Sequence, residues 1–363
     1  MKNSIGSSVI LTVFGESHGP AVGVVLDGLA PGLPVDEGYM AECLARRRPA
    51  GAADTARVEP DRFQIVSGVW KGRTTGTPLT ILSPNENVRS GDYDRLERVA
   101  RPSHADYTAQ AKYHGWQDTR GGGHFSGRVT AGIVAAGAIC RQALEAKGIR
   151  LATHILRCGG VEDAPFTDVA SEIARIEARR FPLILDLEEA VEAAVLAAKA
   201  EQDSLGGVVQ TGICGLPAGL GEPWFDSLEG VLARAMFALG GVKGIEFGDG
   251  FGFADLRGSQ ANDPFRMQDG RVVTRTNRNG GINGGITNGM PVIFNLAVKP
   301  TPSIARIQQT VDFVEGKDVE LALSGRHDPA IIRRICPVVT ALAAVVLCDQ
   351  LALRFGTDYL ARP

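Results

Sequence analysis

Histidines with charged neighbours are the first candidates for chemistry in this chain. In RPSHAD, His104 stands between Arg101 and Asp106, and in GRHDP, His327 stands between Arg326 and Asp328. A carboxylate near an imidazole or guanidinium tunes proton transfer, and it is equally an ordinary surface salt bridge, so the residues alone leave both readings open. A third histidine, His18, falls in GESHG, which literally satisfies the G-x-S-x-G nucleophile elbow of hydrolases around Ser17. The following PAVGVVLDG reads as a strand rather than the helix an elbow requires, which points to a strand-turn-strand. No two of the six histidines are spaced i, i+4 on a helix, so no metal site is expected.

The stretch TRGGGHFSGRVTAG, residues 119–132, approaches two phosphate motifs and completes neither. Gly122 and Gly127 give G-x-x-x-x-G, but Arg128-Val129 replaces the Lys and Ser/Thr of a nucleoside-triphosphate loop. Gly121 and Gly123 begin G-x-G-x-x-G, with Ser126 where the third glycine belongs. Glycine amides ahead of a helix still bind an anion. The basic clusters Arg46-Arg47-Arg48 and Arg333-Arg334 are either solvated helix faces or such anion sites, and KPTPSI at 299–304 is either a rigid turn or a clamp.

Short Val/Ile-rich runs at residues 9–14, 22–26, 63–70, 149–156, 207–214 and 291–298 predict strands. Helices are expected at 36–47, starting on an Asp cap, and at 129–147, 168–180, 187–202, 225–239 and 329–355. With 363 residues, 44% apolar and 22% charged, the chain has enough for a sizeable core. A net charge of −3 gives no global pull towards nucleic acid or an anionic membrane. Its longest apolar run, 337–348, falls short of the ~20 residues a bilayer span needs, and the N-terminus does not read as a signal peptide. Six cysteines without a CxxC pair fit a reducing cytoplasm. The 45 glycines, often paired, predict many tight turns, and no fixed repeat period is present.

Taken in order, FGESHG, RRRP, SGVWKGRTTGTPL, RPSHADYT, the glycine loop, PAGLGEP, VKGIEFGDGF, GSQANDPF, GGINGGITNG, KPTPSI and GRHDP resemble the chorismate synthase family over nearly the whole chain. The resemblance implies an α+β fold, a single domain over 1–363 in which a β-α-β sandwich places antiparallel-rich sheets around helices, commonly as a homotetramer. It implies an anti-1,4-elimination of phosphate from 5-enolpyruvylshikimate 3-phosphate to chorismate, requiring reduced FMN.

The same resemblance implies His18, His104 and Asp328 as catalytic residues: His18 protonating the departing phosphate, His104 stabilising the reduced flavin, and Asp328 assisting proton removal. It implies Arg47, Arg48, Arg101, Arg128 and Arg326 as substrate-binding residues, suited to a multiply charged anion, with Arg46 as a helper. Flavin contacts fall on His124, Phe125, Ser126, Gly240, Gly241, Gly284, Lys299, Pro300, Thr301, Pro302, Ser303 and Arg326. NADPH is a candidate reductant, and an arginine-poor loop at 50–56, with Arg57 the nearest cation, favours an external flavin reductase.

The sequence departs from the common family pattern at His124 to Thr130, at Ile133, at Ser103 and at Gly240-Gly241. These departures leave two alternatives: a similar elimination on a less charged substrate, or a flavin-binding protein with weak turnover.

Overall fold

The computed structural model describes residues 2–55, 60–86, 96–323 and 328–362. Arg57, Arg326 and His327 lie outside the described residues.

Two five-stranded antiparallel sheets enclose a layer of helices. The first sheet contains β1 (Ser4–Ile5), β2 (Ile10–Gly15), β3 (Ala21–Asp27), β4 (Gln64–Ser67) and β5 (Leu79–Pro84), in the order β1-β2-β3-β5-β4. The second contains β6 (Arg150–Cys158), β7 (Val161–Glu162), β8 (Gly207–Cys214), β9 (Val242–Phe247) and β10 (Val292–Val298), in the order β9-β10-β8-β6-β7. The helices are α1 (Glu37–Arg47), α2 (Asp106–Tyr113), α3 (Thr130–Glu145), α4 (Val169–Glu177), α5 (Glu188–Ala200), α6 (Leu228–Met236) and α7 (Ile332–Phe355). The expected α+β sandwich of antiparallel sheets around helices is therefore the observed architecture.

Local chemistry explains the elements. In β10, Val292, Phe294, Leu296 and Val298 alternate into the core at the period of a strand with one buried face. Asp36 caps α1 by accepting the Tyr39 amide at 3.0 Å. Helix α3 is rich in small apolar residues and is buried nearly all round because it lies between the first sheet and α7. A Cβ on Gly137 would come within 2.4 Å of Ala341 Cβ, so that glycine sets the close approach of α3 to α7. Each fully buried aliphatic side chain in this layer contributes about 1.5–3 kcal/mol.

Helix α7 has 24 residues and is about 36 Å long. By length and composition it would cross a membrane, but 94% of its apolar window is buried inside the protein. Two predicted elements differ in extent, and several observed ones lie outside the predicted runs. The predicted strand at 63–70 ends at Ser67, where Gly68 at φ +83 turns the chain into a separate short hairpin. The predicted helix at 225–239 starts as a single 3-10 turn, and the α-helix proper runs from Leu228, capped by Ser227. Strands β5 and β9, the two-residue strands β1 and β7, and helix α2 were not expected.

Candidate active site

The β2–β3 pairing runs from Ile10↔Asp27 to Gly15↔Val22, and residues 16–20 form the turn at the sheet's end. Ser17 and His18 occupy that turn, both buried. His18 Nδ1 and Ser17 Oγ are 3.0 Å apart, and Ser17 Oγ donates to the Arg120 carbonyl at 3.2 Å. A nucleophile elbow is absent here, because the serine lies in a strand-turn-strand and its hydroxyl is engaged by the glycine loop.

That loop reaches α3 through a folded crossing, with Gly121, Gly122 and Gly123 all at positive φ. A Cβ on Gly121 would sit 2.1 Å from His18 Cε1, and one on Gly122 would sit 3.3 Å from His104 Cε1. Consecutive glycines thus bring the backbone against both histidines, a wall that no side-chain-bearing residue could form without displacing an imidazole.

His104 is held from its other side. Its Nδ1 lies 3.0 Å from Asp106 Oδ1, and Arg101 donates to the same carboxylate through Nε at 2.8 Å and Nη2 at 2.7 Å. Burial alone would raise the Asp106 pKa, but hydrogen bonds from Arg101 and His104 outweigh it and hold the carboxyl well below its usual range. Arg101 Nη2 also lies 3.0 Å from His104 Nδ1, so Nδ1 faces both a carboxylate and a guanidinium while Nε2 is on the side facing Gly122.

Arg47, from the last turn of α1, and Arg128, from the turn before α3, meet across one carboxylate. Asp61 Oδ2 accepts from Arg47 Nη1 and Asp61 Oδ1 from Arg128 Nη1, each at 2.6 Å, with the carboxylate fully buried. Arg47 also donates to Thr130 Oγ1 and the Gly127 carbonyl, and Arg128 to Asn85 Oδ1, Ser83 Oγ and the Pro84 carbonyl. Asn85 in turn donates to the carbonyls of Glu16 and Gly19. One amide therefore ties the His18 turn to the arginine pair.

The N-terminus of α7 fixes the far edge. Arg334 donates to Asp328 Oδ2 at 2.6 Å and to the Arg47 carbonyl at 2.9 Å. Arg333 donates to Asp54 and to the carbonyls of Arg46 and Arg48. The Arg333-Arg334 cluster thus caps the C-terminus of α1, where carbonyls have no helical partner. Burial pushes the Asp328 carboxyl up, and Arg334 only partly offsets this.

Lys299 joins the His104 side by donating to the Ser103 carbonyl, and its own amide bonds Gly241 at 2.9 Å. Burial, with Lys243 as a second cause, lowers the Lys299 pKa. Ser204 holds the Thr301 carbonyl, which anchors the 300–303 segment. His124 Nδ1 contacts the Gly15 carbonyl at 2.8 Å, Ser126 accepts the Arg128 amide, and Phe125 meets Tyr113 edge-on.

Two other expected site residues have different settings. Arg48 closes α1, and its Nε is buried with no partner among the described residues. Gly284 sits in a short hairpin that packs through Gly285 against Glu222 and Ser227, and no hydrogen bond among the described residues ties it to the histidines. No cluster of three metal-ligating side chains occurs among the described residues. Sequence reasoning missed Asp61, Asn85 and Ser83, and left the Arg333-Arg334 cluster open between a solvated helix face and an anion site. The available signal for Asp61 was the rule that buried arginines require a buried acid.

Fold and site together define an α+β sandwich that gathers two loop histidines, several buried arginines and a glycine wall at one end of its first sheet, the equipment for acid-base work on an anion. A profile of the family described as Chorismate synthase matches residues 9–352. A chorismate synthase of Pyrococcus abyssi is 47% identical over 349 residues, covering 96% of this chain and 97% of that protein. Another, from Aeropyrum pernix, is 46% identical over 356 residues, covering 97% and 93%. A solved structure titled "Crystal Structure of Chorismate Synthase" superposes with a TM-score of 0.76 at 26% identity, covering 98% of this chain and 95% of that one. The chain belongs to the chorismate synthase family, and it is an enzyme of that family's class, a carbon–oxygen lyase.

Proposed function

We propose that this chain converts 5-enolpyruvylshikimate 3-phosphate to chorismate by anti-1,4-elimination of phosphate with reduced FMN bound. Its family membership and near-full-length relatives favour this reading over a changed substrate or loss of turnover. The observation that carries it is the glycine wall, where Gly121 lies against His18 and Gly122 against His104.

Arg101, Arg47 and Arg128 would orient the substrate's anionic groups, with Arg48 and Arg326 as further cations. His18 would give a proton to the departing phosphate, and its imidazole is set for this by Ser17 on Nδ1. Asp106 holds His104 with Nε2 forward, and Asp328, buried with a raised pKa, would assist proton removal.

The residues fit reduced FMN. Lys299 and Lys243 are mutually unfavourable cations that an anionic cofactor would relieve, and Gly240, Gly241 and the segment Pro300, Thr301, Pro302 and Ser303 adjoin Lys299. His124, Phe125, Ser126, Gly284 and Arg326 complete the proposed contacts. When bound, the reduced flavin supplies electron density as the C–O bond breaks and recovers it as the C6 hydrogen leaves.

We assign the protein to the cytoplasm as a homotetramer. The nearly fully exposed Trp224, Phe225 and Phe251 support burial against other copies. The arginine-poor loop at 50–56 favours an external flavin reductase over NADPH as direct reductant, which activity with NADPH and FMN alone would contradict. The roles of the histidines are tested by phosphate release from His18→Asn and His104→Asn. Each is expected to be slower by roughly 10²-fold or more, and near-normal rates in both would overturn the assignment.

A further inference from the structure

Strand β5 ends at Pro84, opposite Ala21 of β3, and the ladder runs one step further, the Asn85 amide donating to the Pro20 carbonyl at 3.2 Å. That register places Asn85 beside the turn that carries Ser17 and His18. Glu16 to Gly19 form a four-residue turn, closed by the Gly19 amide on the Glu16 carbonyl at 3.1 Å, with Ser17 and His18 as its central residues. The side-chain amide nitrogen of Asn85 donates to both ends of this turn, to the Glu16 carbonyl at 2.9 Å and to the Gly19 carbonyl at 2.8 Å. Three carbonyls within residues 16–20 thus accept from one residue.

The oxygen of the same side chain serves the anion-binding group. Asn85 Oδ1 accepts from Arg128 Nε at 3.0 Å, and Ser83 Oγ, two residues back on the same face of β5, accepts from Arg128 Nη2 at 2.8 Å. Only one orientation of the amide satisfies all these partners, because two carbonyls require its donors and a guanidinium requires its acceptor. Donor and acceptor belong to one rigid planar group, so a single side chain sets the spacing between the His18 turn and Arg128. On its other side the turn leans on the glycine loop, through the Ser17 amide to the Gly123 carbonyl at 3.1 Å and Ser17 Oγ to the Arg120 carbonyl.

We propose that Asn85 is a positioning residue for the elimination, holding the proton donor His18 in register with the anion-binding Arg128; the proposal rests on the roles assigned to those two. Its contacts are with the backbone of the turn and with Arg128, so it acts through them. No aliphatic or hydroxyl side chain can give donors to two carbonyls and an acceptor to a guanidinium at once. Without the amide the turn keeps its contacts to the glycine loop but loses the clamp on both of its ends, and a shift of about 1 Å in a catalytic group costs up to roughly 10²-fold in rate.

The test is a double-mutant cycle on kcat for phosphate release from the full-length protein with reduced FMN, joined to a measurement that needs no turnover. Asn85→Ala should lower kcat by about tenfold or more in the otherwise wild-type chain, and by less than about twofold in the His18→Asn background, where no proton donor is left to position. A merely structural residue would slow both alike. Asn85→Asp keeps an acceptor for Arg128 and turns an oxygen on the two carbonyls, so it should be at least as slow as Asn85→Ala. For NMR, the protein carries isotope-labelled histidine and no flavin. The His18 ring signal, identified by its loss in His18→Asn, should move in both Asn85 variants. The His104 signal, identified through His104→Asn and held by Asp106, should stay. Thermal melts confirm that each variant is folded. An unmoved His18 signal, equal slowing in both backgrounds, or a wild-type rate in Asn85→Asp would each overturn the proposal. Wild-type protein that releases no phosphate would overturn the proposed function instead, and the ring signals alone would then decide whether Asn85 holds His18.

Discussion

Asp61→Asn is the most revealing single change. The carboxylate is fully buried and holds Arg47 and Arg128 through two 2.6 Å contacts. An asparagine amide would direct a donor at one of two guanidinium groups that are themselves all donor, leaving that contact repulsive and the other without its anionic partner. Removing one partner from a buried ion cluster costs about 3–5 kcal/mol, because the remaining charges stay desolvated. The acceptors that Arg47 and Arg128 keep, Gly127 O, Thr130 Oγ1, Asn85 Oδ1 and Pro84 O, place the expectation at the lower end. In a chain of 363 residues that loss lowers Tm by roughly 4 °C. Thermal melts of Asp61→Asn and of the triple variant Arg47→Met/Asp61→Asn/Arg128→Met form the assay. The triple variant should recover most of the loss, since replacing both arginines removes the stranded charges. A single variant within about 0.5 kcal/mol of wild type, or a triple variant far less stable than the single, would refute the reasoning.

Two further outcomes follow from the site. Gly121→Ala places a Cβ 2.1 Å from His18 Cε1 and 2.9 Å from Ser17 Oγ at φ +61, so turnover should fall by about 10²-fold in a folded protein; a near-normal kcat would show that His18 need not stay where it is. Asp328 has its pKa raised by burial, so its contribution to stability is favourable below its ordinary value of 3.8 and is lost as pH climbs through the raised value. Asp328→Asn should therefore match or exceed the wild-type Tm at neutral pH while slowing turnover, whereas a Tm several degrees lower would mean that the ionised pair with Arg334 is net stabilising.

Much of the architecture was readable because its signals are local. Strands β2, β3, β8 and β10 are dense in Val and Ile, β6 carries Leu151, Ile155 and Leu156, and α1 announces itself with Asp36. Strand β9 was missed because VKGIEF breaks its apolar run with Lys, Gly and Glu, as an edge strand can. Strand β5 was missed between Pro78 and Pro84, two residues that read as loop.

The site divides the same way. His104 and Asp106 lie two residues apart and were legible as a pair. The clasp joining Arg47, Asp61 and Arg128 spans separations of 14 and 67 residues and becomes visible only when the sheet brings them together. The glycine loop completes neither phosphate motif, and its backbone is packed against two imidazoles. That contact depends on where the loop folds back, which no motif spacing records.

The central claim is that this end of the first sheet carries out a reduced-flavin-dependent elimination of phosphate. Anaerobic phosphate release from 5-enolpyruvylshikimate 3-phosphate, with purified protein, FMN and dithionite, tests it most directly. Release is expected with reduced FMN and should be absent when the FMN is left oxidised. No release above a control without protein, while the substrate still binds, would contradict the account.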